Sequence, residues 1–211
     1  TTRASRTARK VAMNILALGS KRGMENVLPP GIVEATARLL RESGEAGPRT
    51  ISFARSRAAV GLYLAFDWML PGQFEAFAHR KAFCERQVRK GIQAGARQVL
   101  VLGAGYDTLG WRLAPEFSEV AFFEIDHPAT MAAKERGVEK MGGRPNLHLV
   151  AEDLARAFAG PDHRHHTLER DVIELLSGLQ QRRELLEEVR HDDHVGRLLA
   201  RDPDLVAANA D

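Results

Sequence analysis

The 211-residue chain is long enough for one domain, or for one domain with an appendage, and its 44% hydrophobic and 27% charged residues are ordinary for a globular protein. The formal net charge of +2 is too small to argue for nucleic-acid binding. Cys84 is the single cysteine, which excludes a disulfide within this sequence and a cysteine-ligated metal cluster. Because neither a membrane-length apolar run nor a signal-peptide pattern is present, we expect a cytoplasmic protein that binds neither membrane nor nucleic acid.

The first third of the chain predicts helices. Residues 1–23 carry six basic residues and no acid, and their apolar residues recur at helical spacing, which indicates an amphipathic helix. A basic helix can contact nucleic acid or an anionic surface, but we favour a solvated basic face because no further basic or aromatic patch follows it. Further helices are predicted over residues 32–41 and 73–94, each preceded by a Pro–Gly pair that breaks the chain.

A short apolar run, VLVL at residues 99–102, is rich in β-branched side chains and is flanked by glycines. Such a run predicts a strand buried on both faces, as in a parallel sheet. Gly103 and Gly105 follow directly, so the strand ends where the backbone can turn tightly and let a ligand approach without a Cβ in the way. Asp107 or Thr108 then caps a short helix by accepting its free N–H groups.

A second strand is predicted over residues 120–125, and two acids, Glu124 and Asp126, mark its end. They fall about 20 residues after the glycines, where nucleotide-binding α/β folds hydrogen-bond a ribose. Thr108 occupies the third glycine position of a dinucleotide fingerprint, so the pattern favours a ligand with a ribose and no phosphate, such as S-adenosylmethionine. A purely structural turn and an NAD-linked oxidoreductase are the other interpretations.

Two strings, LGAGYDTLGWRL and FFEIDHPATMAAK, resemble the leucine carboxyl methyltransferase family and its bacterial relatives, which are class I S-adenosylmethionine-dependent O-methyltransferases. The resemblance covers roughly residues 1–155 and implies a Rossmann-like parallel sheet, with N-terminal helices that cover the cofactor and help to shape the acceptor pocket. The residues that carry the resemblance are Gly103, Gly105, Asp107, Thr108, Arg112, Leu113, Glu124, Asp126, Pro128 and Lys134.

The same resemblance implies a cofactor site but no catalytic residue and no metal ligand. Arg80 matches the family's arginine ahead of the glycines, and its guanidinium fork suits the cofactor's carboxylate. Asp153, with Leu154, is expected to hold the adenine, and capping a helix is the alternative role for Asp153. The cofactor-binding residues implied are Arg80, Gly103, Gly105, Asp126, Asp153 and Leu154.

We expect three parts: a helical cap over residues 1–95, a Rossmann-like cofactor-binding half over 96–160, and a helical tail of uncertain origin over 161–211. A third strand is predicted at residues 146–150, and the family's later strands are not legible after it, so the sheet is expected to be incomplete. The tail's apolar spacing predicts an amphipathic helix that covers apolar surface within the chain or across a homodimer. The tail histidines predict a solvated cluster rather than a metal site: His163, His165, His166, His191 and His194.

Three origins of this architecture stay open: a shortened methyltransferase, a foreign segment joined after residue 160, and a sheet completed by a partner chain. The expected function is S-adenosylmethionine-dependent O-methylation of a carboxylate or hydroxyl on a small molecule or a protein C-terminus. A carboxylate acceptor is already ionised near neutral pH and needs no base. The alternative is a non-catalytic cofactor-binding or scaffold protein derived from a methyltransferase.

Overall fold

The computed structural model describes residues 4–67 and 72–154. The predicted helices over residues 32–41 and 73–94 are confirmed to within one residue at each end. Within the described residues, none of the helices is long and apolar enough to cross a membrane. The helices that precede the first strand are α1 Arg6–Leu18, α2 Ile32–Glu42, α3 Pro48–Ala54, α4 Arg57–Asp67 and α5 Gln73–Gln93.

Strands and helices alternate after α5, as expected for a parallel α/β unit. The three strands found among the described residues run parallel in the order β1-β2-β3, and Val101 of β1 lies opposite Glu124 of β2. The α/β class and the three predicted strands are therefore confirmed, with strand ends shifted by at most one residue. The elements that follow α5 are β1 Gln98–Leu102, α6 Leu109–Leu113, β2 Ala121–Asp126, α7 Pro128–Met141 and β3 Leu147–Ala151.

Burial differs between the first two strands, and the prediction that the first is buried on both faces is wrong. In β1 only Val99 is buried, and Leu102 is 41% exposed. In β2 every residue from 121 to 125 is buried. β2 has a strand on each side and contacts α6 and α7, whereas among the described residues β1 pairs with β2 alone. A strand with one neighbour keeps part of its surface accessible.

Helix α1 is amphipathic, as predicted, and its apolar face joins the core. Ile15 and Leu16 are almost completely buried, in two hydrophobic clusters that also include side chains of α2 and α5. The side chain of Ser5 caps the helix by accepting a hydrogen bond from the Ala8 N–H at 3.2 Å. The Ser5 N–H in turn donates to Thr130 Oγ1 of α7 at 3.0 Å, so the start of α1 is fixed to α7.

Candidate functional site

The carboxyl end of β1 runs into residues 103–107, which we call the glycine turn. Gly103 has φ 62° and Gly105 has φ 50°, in the left-handed region that glycine adopts without a steric penalty. A Cβ on Gly105 would lie 2.9 Å from the Cβ of Ala8. Glycine at this position therefore permits both the tight turn and the close approach of α1.

Asp126, at the carboxyl end of β2, holds the glycine turn. Its Oδ2 atom accepts a hydrogen bond from the Gly105 N–H at 2.6 Å, and its Oδ1 atom accepts one from the His127 N–H at 2.7 Å. Each carboxylate oxygen has a second lone pair. Asp126 can therefore accept further hydrogen bonds from a ligand while it holds the turn in place.

A cavity of about 520 Å³, which we call the first cavity, lies beside the glycine turn and is enclosed by α1, α2, α5 and β1. This volume is in the range of small-molecule sites. Four of the six predicted cofactor-binding residues line the cavity: Arg80, Gly103, Gly105 and Asp126. The packing of α1 and α5 therefore brings residues that are far apart in the sequence to one site.

Arg80 lies on α5 with an exposed side chain at this cavity. Its guanidinium carbon is 5.8 Å from the centre of the Phe77 ring, within cation–π range. Within residues 4–67 and 72–154, Arg80 has no ion pair. A guanidinium with this freedom can pair with a carboxylate through two parallel hydrogen bonds.

Lys81, which the sequence analysis missed, also lines the first cavity, and its ammonium group pairs with the carboxylate of Asp107. Both side chains are largely buried, at 20% and 13% exposure. The pair ties α5 to the glycine turn. Nothing in the sequence indicates this contact, because it depends on how α5 packs against a turn 26 residues later.

Asp107 is ionised at neutral pH. Burial raises its pKa, but the Lys81 ammonium, by its charge and its hydrogen bond, opposes this, with smaller contributions from Lys134 and the Leu109 N–H. The net result is a pKa below the usual value for an aspartate. Its Oδ1 atom accepts the Leu109 N–H at 2.9 Å, so Asp107 caps α6, whereas the Thr108 side chain makes no capping bond.

Glu124, the other acid at the end of the second strand, is fully buried and does not line the first cavity as described. Its Oε1 atom accepts the Gly110 N–H at 3.1 Å, and its Oε2 atom lies 2.7 Å from the Lys134 ammonium nitrogen. Lys134 is itself only 1% exposed. Glu124 and Lys134, both residues of the family motif, therefore form a buried ion pair that is not part of the described cavity lining.

Asp153 and Leu154 follow β3 directly, and both side chains are partly buried. The Glu152 N–H donates to the Asp126 carbonyl oxygen at 2.9 Å, so the ends of β2 and β3 adjoin. Neither Asp153 nor Leu154 belongs to the described lining of the first cavity. The structure thus gathers four predicted residues at one cavity and places these two at the neighbouring strand end.

Several expectations fall on residues that the structure does not describe. The histidine cluster, the tail helix and the homodimer contact all belong to the segment after residue 154. In the part of the chain that is described, no group of three or more histidine, cysteine or acidic side chains could hold a metal ion.

A parallel sheet whose first strand leads into a glycine turn, and whose second strand ends in an acid that holds that turn, is the arrangement of a Rossmann-like α/β fold. The family model for leucine carboxyl methyltransferase matches residues 36–172. The match covers well over half of the sequence and runs past residue 155, where the motif-based resemblance ended. The chain belongs to the leucine carboxyl methyltransferase family.

Several curated relatives are named as candidate S-adenosyl-L-methionine-dependent methyltransferases. The protein of Mycolicibacterium paratuberculosis (strain ATCC BAA-968 / K-10) is 34% identical over 82 residues, which are 39% of this chain and 25% of that protein. The protein of Bacillus subtilis (strain 168) is 32% identical over 82 residues, with 38% and 27% covered. A Mycolicibacterium gilvum protein is 32% identical over 115 residues, with 53% and 34% covered. The matched segments thus span between a quarter and about a third of these relatives.

Proposed function

We propose that this chain binds S-adenosylmethionine in the first cavity and is a methyltransferase that acts on an oxygen acceptor. The acceptor would be a carboxylate or hydroxyl of a small molecule or of a protein C-terminus. The observation that carries the proposal is Asp126, which holds Gly105 at a cavity that also contains Arg80, a guanidinium with no ion pair to any described residue. Family membership and the names of the relatives support the same ligand.

The residues at the cavity fit the chemical groups of this ligand. Asp126 would accept hydrogen bonds from the ribose hydroxyls, and Arg80 would pair with the amino-acid carboxylate. A Cβ at Gly103 would point into open space, so the turn backbone is accessible to a ligand. Asp153 and Leu154 are the proposed adenine contacts, since the end of β3 adjoins Asp126.

The bound cofactor would supply an electrophilic methyl group on a sulfonium, so the protein's task is mainly to orient the acceptor and to exclude water. Correct orientation of two reactants can contribute about 7–11 kcal/mol of the barrier. Helix α1 suits the second task, because Ala8 packs directly against Gly105 and so covers the glycine turn.

The properties of Tyr106 and Asp107 at the first cavity favour a carboxylate acceptor. Burial, and then the nearby Glu45 carboxylate, raises the pKa of Tyr106, so this phenol stays protonated at neutral pH. Asp107 has a lowered pKa and is paired with Lys81, which makes it a weak base. Among the described lining residues there is no histidine. A carboxylate acceptor, already ionised, needs none of these groups as a base.

The proposal is tested with two pairs of acceptors, each pair sharing one carbon skeleton. The first pair is phenylacetate and 2-phenylethanol, and the second is one peptide with either a free or an amidated C-terminus. The full chain is incubated with S-adenosylmethionine, and release of S-adenosylhomocysteine is measured. We expect release with the carboxylates and none with their neutral counterparts. Release with 2-phenylethanol would contradict the carboxylate assignment, and cofactor binding without release for any acceptor would favour the non-catalytic alternative.

A further inference from the structure

A second cavity, of about 460 Å³, lies on the other side of α1, between α1, α3 and α4. Its volume is also that of a small-molecule site. None of its described lining residues also lines the first cavity. The residues that line it are Arg6, Arg9, Lys10, Met13, Thr50, Phe53, Ala54, Ala59, Leu62 and Tyr63.

Helix α1 presents a different face to each cavity. Positions 7, 8, 11, 12 and 15 line the first cavity, and positions 6, 9, 10 and 13 line the second. Positions 8, 11, 12 and 15, like positions 6, 9, 10 and 13, have the spacing i, i+3, i+4, i+7 of a single helix face. The sets are offset by two residues, about 200° around a helix with 3.6 residues per turn. The helix therefore forms a wall between two separate sites.

The face of α1 at the second cavity carries three cations, Arg6, Arg9 and Lys10, and no acid lines this cavity as described. Within residues 4–67 and 72–154, none of the three cations has an ion pair. Since like charges on one helix face repel, an anionic ligand would relieve this repulsion as well as bind to it.

The opposite wall of the second cavity, on α3 and α4, is apolar. Phe53 is 54% exposed and Leu62 is 53% exposed, while Ala54 and Ala59, which also line this cavity, are buried. Large apolar side chains gathered at a concave surface are typical of ligand grooves. The second cavity therefore combines a cationic wall with an apolar wall.

We propose that the second cavity binds an organic acid with an apolar body, a medium-chain carboxylate being the simplest example. The carboxylate would pair with the arginines and lysine of α1, and the hydrocarbon would lie against α3 and α4. A bare inorganic anion would leave the apolar wall in water, and a neutral hydrocarbon would leave the cations unpaired. This proposal does not depend on the function assigned to the first cavity.

The test is isothermal titration of the full chain with decanoate and with decanol, which share an apolar chain and differ in charge. We expect decanoate to bind more tightly than decanol. Arg9→Gln with Lys10→Gln should weaken decanoate binding by about tenfold or more, the loss expected for charge-assisted hydrogen bonds. Leu62→Gln, on the opposite wall, should weaken both ligands, which provides an independent check on the apolar contact.

Two control variants each remove one of the chain's cationic charges elsewhere, against two in the test variant: Arg22→Gln on the exposed surface after α1, and Arg80→Gln in the first cavity. Neither should change decanoate affinity. The proposal is overturned if decanol binds as tightly as decanoate, or if only Arg80→Gln weakens decanoate, which would place the anion in the first cavity. Binding to phosphatidylserine vesicles without binding of free decanoate would assign the basic face to a membrane surface and would also overturn it. Thermal melts of each variant exclude loss of folding as the cause.

Discussion

Two ion pairs near the sheet involve residues of the same family motif but have different surroundings. Glu124 and Lys134 are 0% and 1% exposed, and they lie between β2 and α7. Asp107 and Lys81 are 13% and 20% exposed, and both line the first cavity. The first pair belongs to the core and the second belongs to the site.

This difference follows from where each acid lies along its element. Glu124 precedes Asp126 by two residues on β2, so both side chains point to the same face of the sheet. Glu124 lies within the strand and is buried, whereas Asp126 is at the strand end. Asp126 is the last residue of β2, and Asp107 lies in the glycine turn after β1, so their side chains reach the glycine turn and the first cavity. Acids of the same motif therefore differ in role, with Glu124 in the core and Asp107 and Asp126 at the first cavity. Substitutions of these residues and their partners should affect stability and ligand binding to different extents.

The largest expected effect is on stability, from Lys134→Met. Removing one partner of a buried ion pair leaves an uncompensated charge, which typically costs about 3–5 kcal/mol. Urea unfolding should show this loss, and Lys90→Met, at an exposed position on α5, should show little change. Adding Glu124→Gln to Lys134→Met should recover part of the loss, and failure to recover any would mean that the pair is not the cause.

A smaller effect is expected from Asp107→Asn, and it should depend on pH. At pH 7 the substitution should cost about 1.5–3 kcal/mol, as for a hydrogen bond to a charged group, while asparagine can still cap α6. Because the folded pKa of Asp107 is lowered, its contribution is complete above the unfolded pKa of 3.8 and is lost as pH falls through the folded pKa. The difference in unfolding free energy between wild type and variant should therefore shrink below about pH 4. A difference that stays constant down to pH 2 would contradict the charge pairing.

Substitution of Arg80 should weaken cofactor binding. It should hardly change the free energy of unfolding, because the Arg80 side chain is exposed. Arg80→Ala should weaken binding of S-adenosylhomocysteine by about tenfold, the value of one charge-assisted contact. Arg80→Lys should not restore it, because an ammonium cannot form the two-pronged contact. Binding of 5′-methylthioadenosine, which lacks the carboxylate, should be the same in all three proteins. An equal loss for both ligands would show that Arg80 does not recognise the carboxylate.

The strands and the main helices could be predicted because apolar periodicity and glycine or proline breaks mark them directly. Gly103 and Gly105 could be placed at a turn, and Asp126 near it, because they come at the ends of two predicted neighbouring strands. Burial of β1 was mispredicted because a short apolar run does not indicate whether a strand has one neighbour or two. The contact of Lys81 and the two faces of α1 depend on helix packing, which local sequence patterns do not determine.

The most direct test of the central claim is titration of S-adenosylhomocysteine into wild type, Asp126→Asn and Glu119→Gln. Asparagine can still accept the Gly105 N–H, so the glycine turn should persist, but the charge and one acceptor for the ribose are lost. We predict that Asp126→Asn weakens binding by at least about tenfold, which corresponds to about 1.5–3 kcal/mol, and that the exposed Glu119→Gln control binds as wild type does. Wild-type affinity in the Asp126→Asn protein would contradict the assignment of this cavity as the cofactor site.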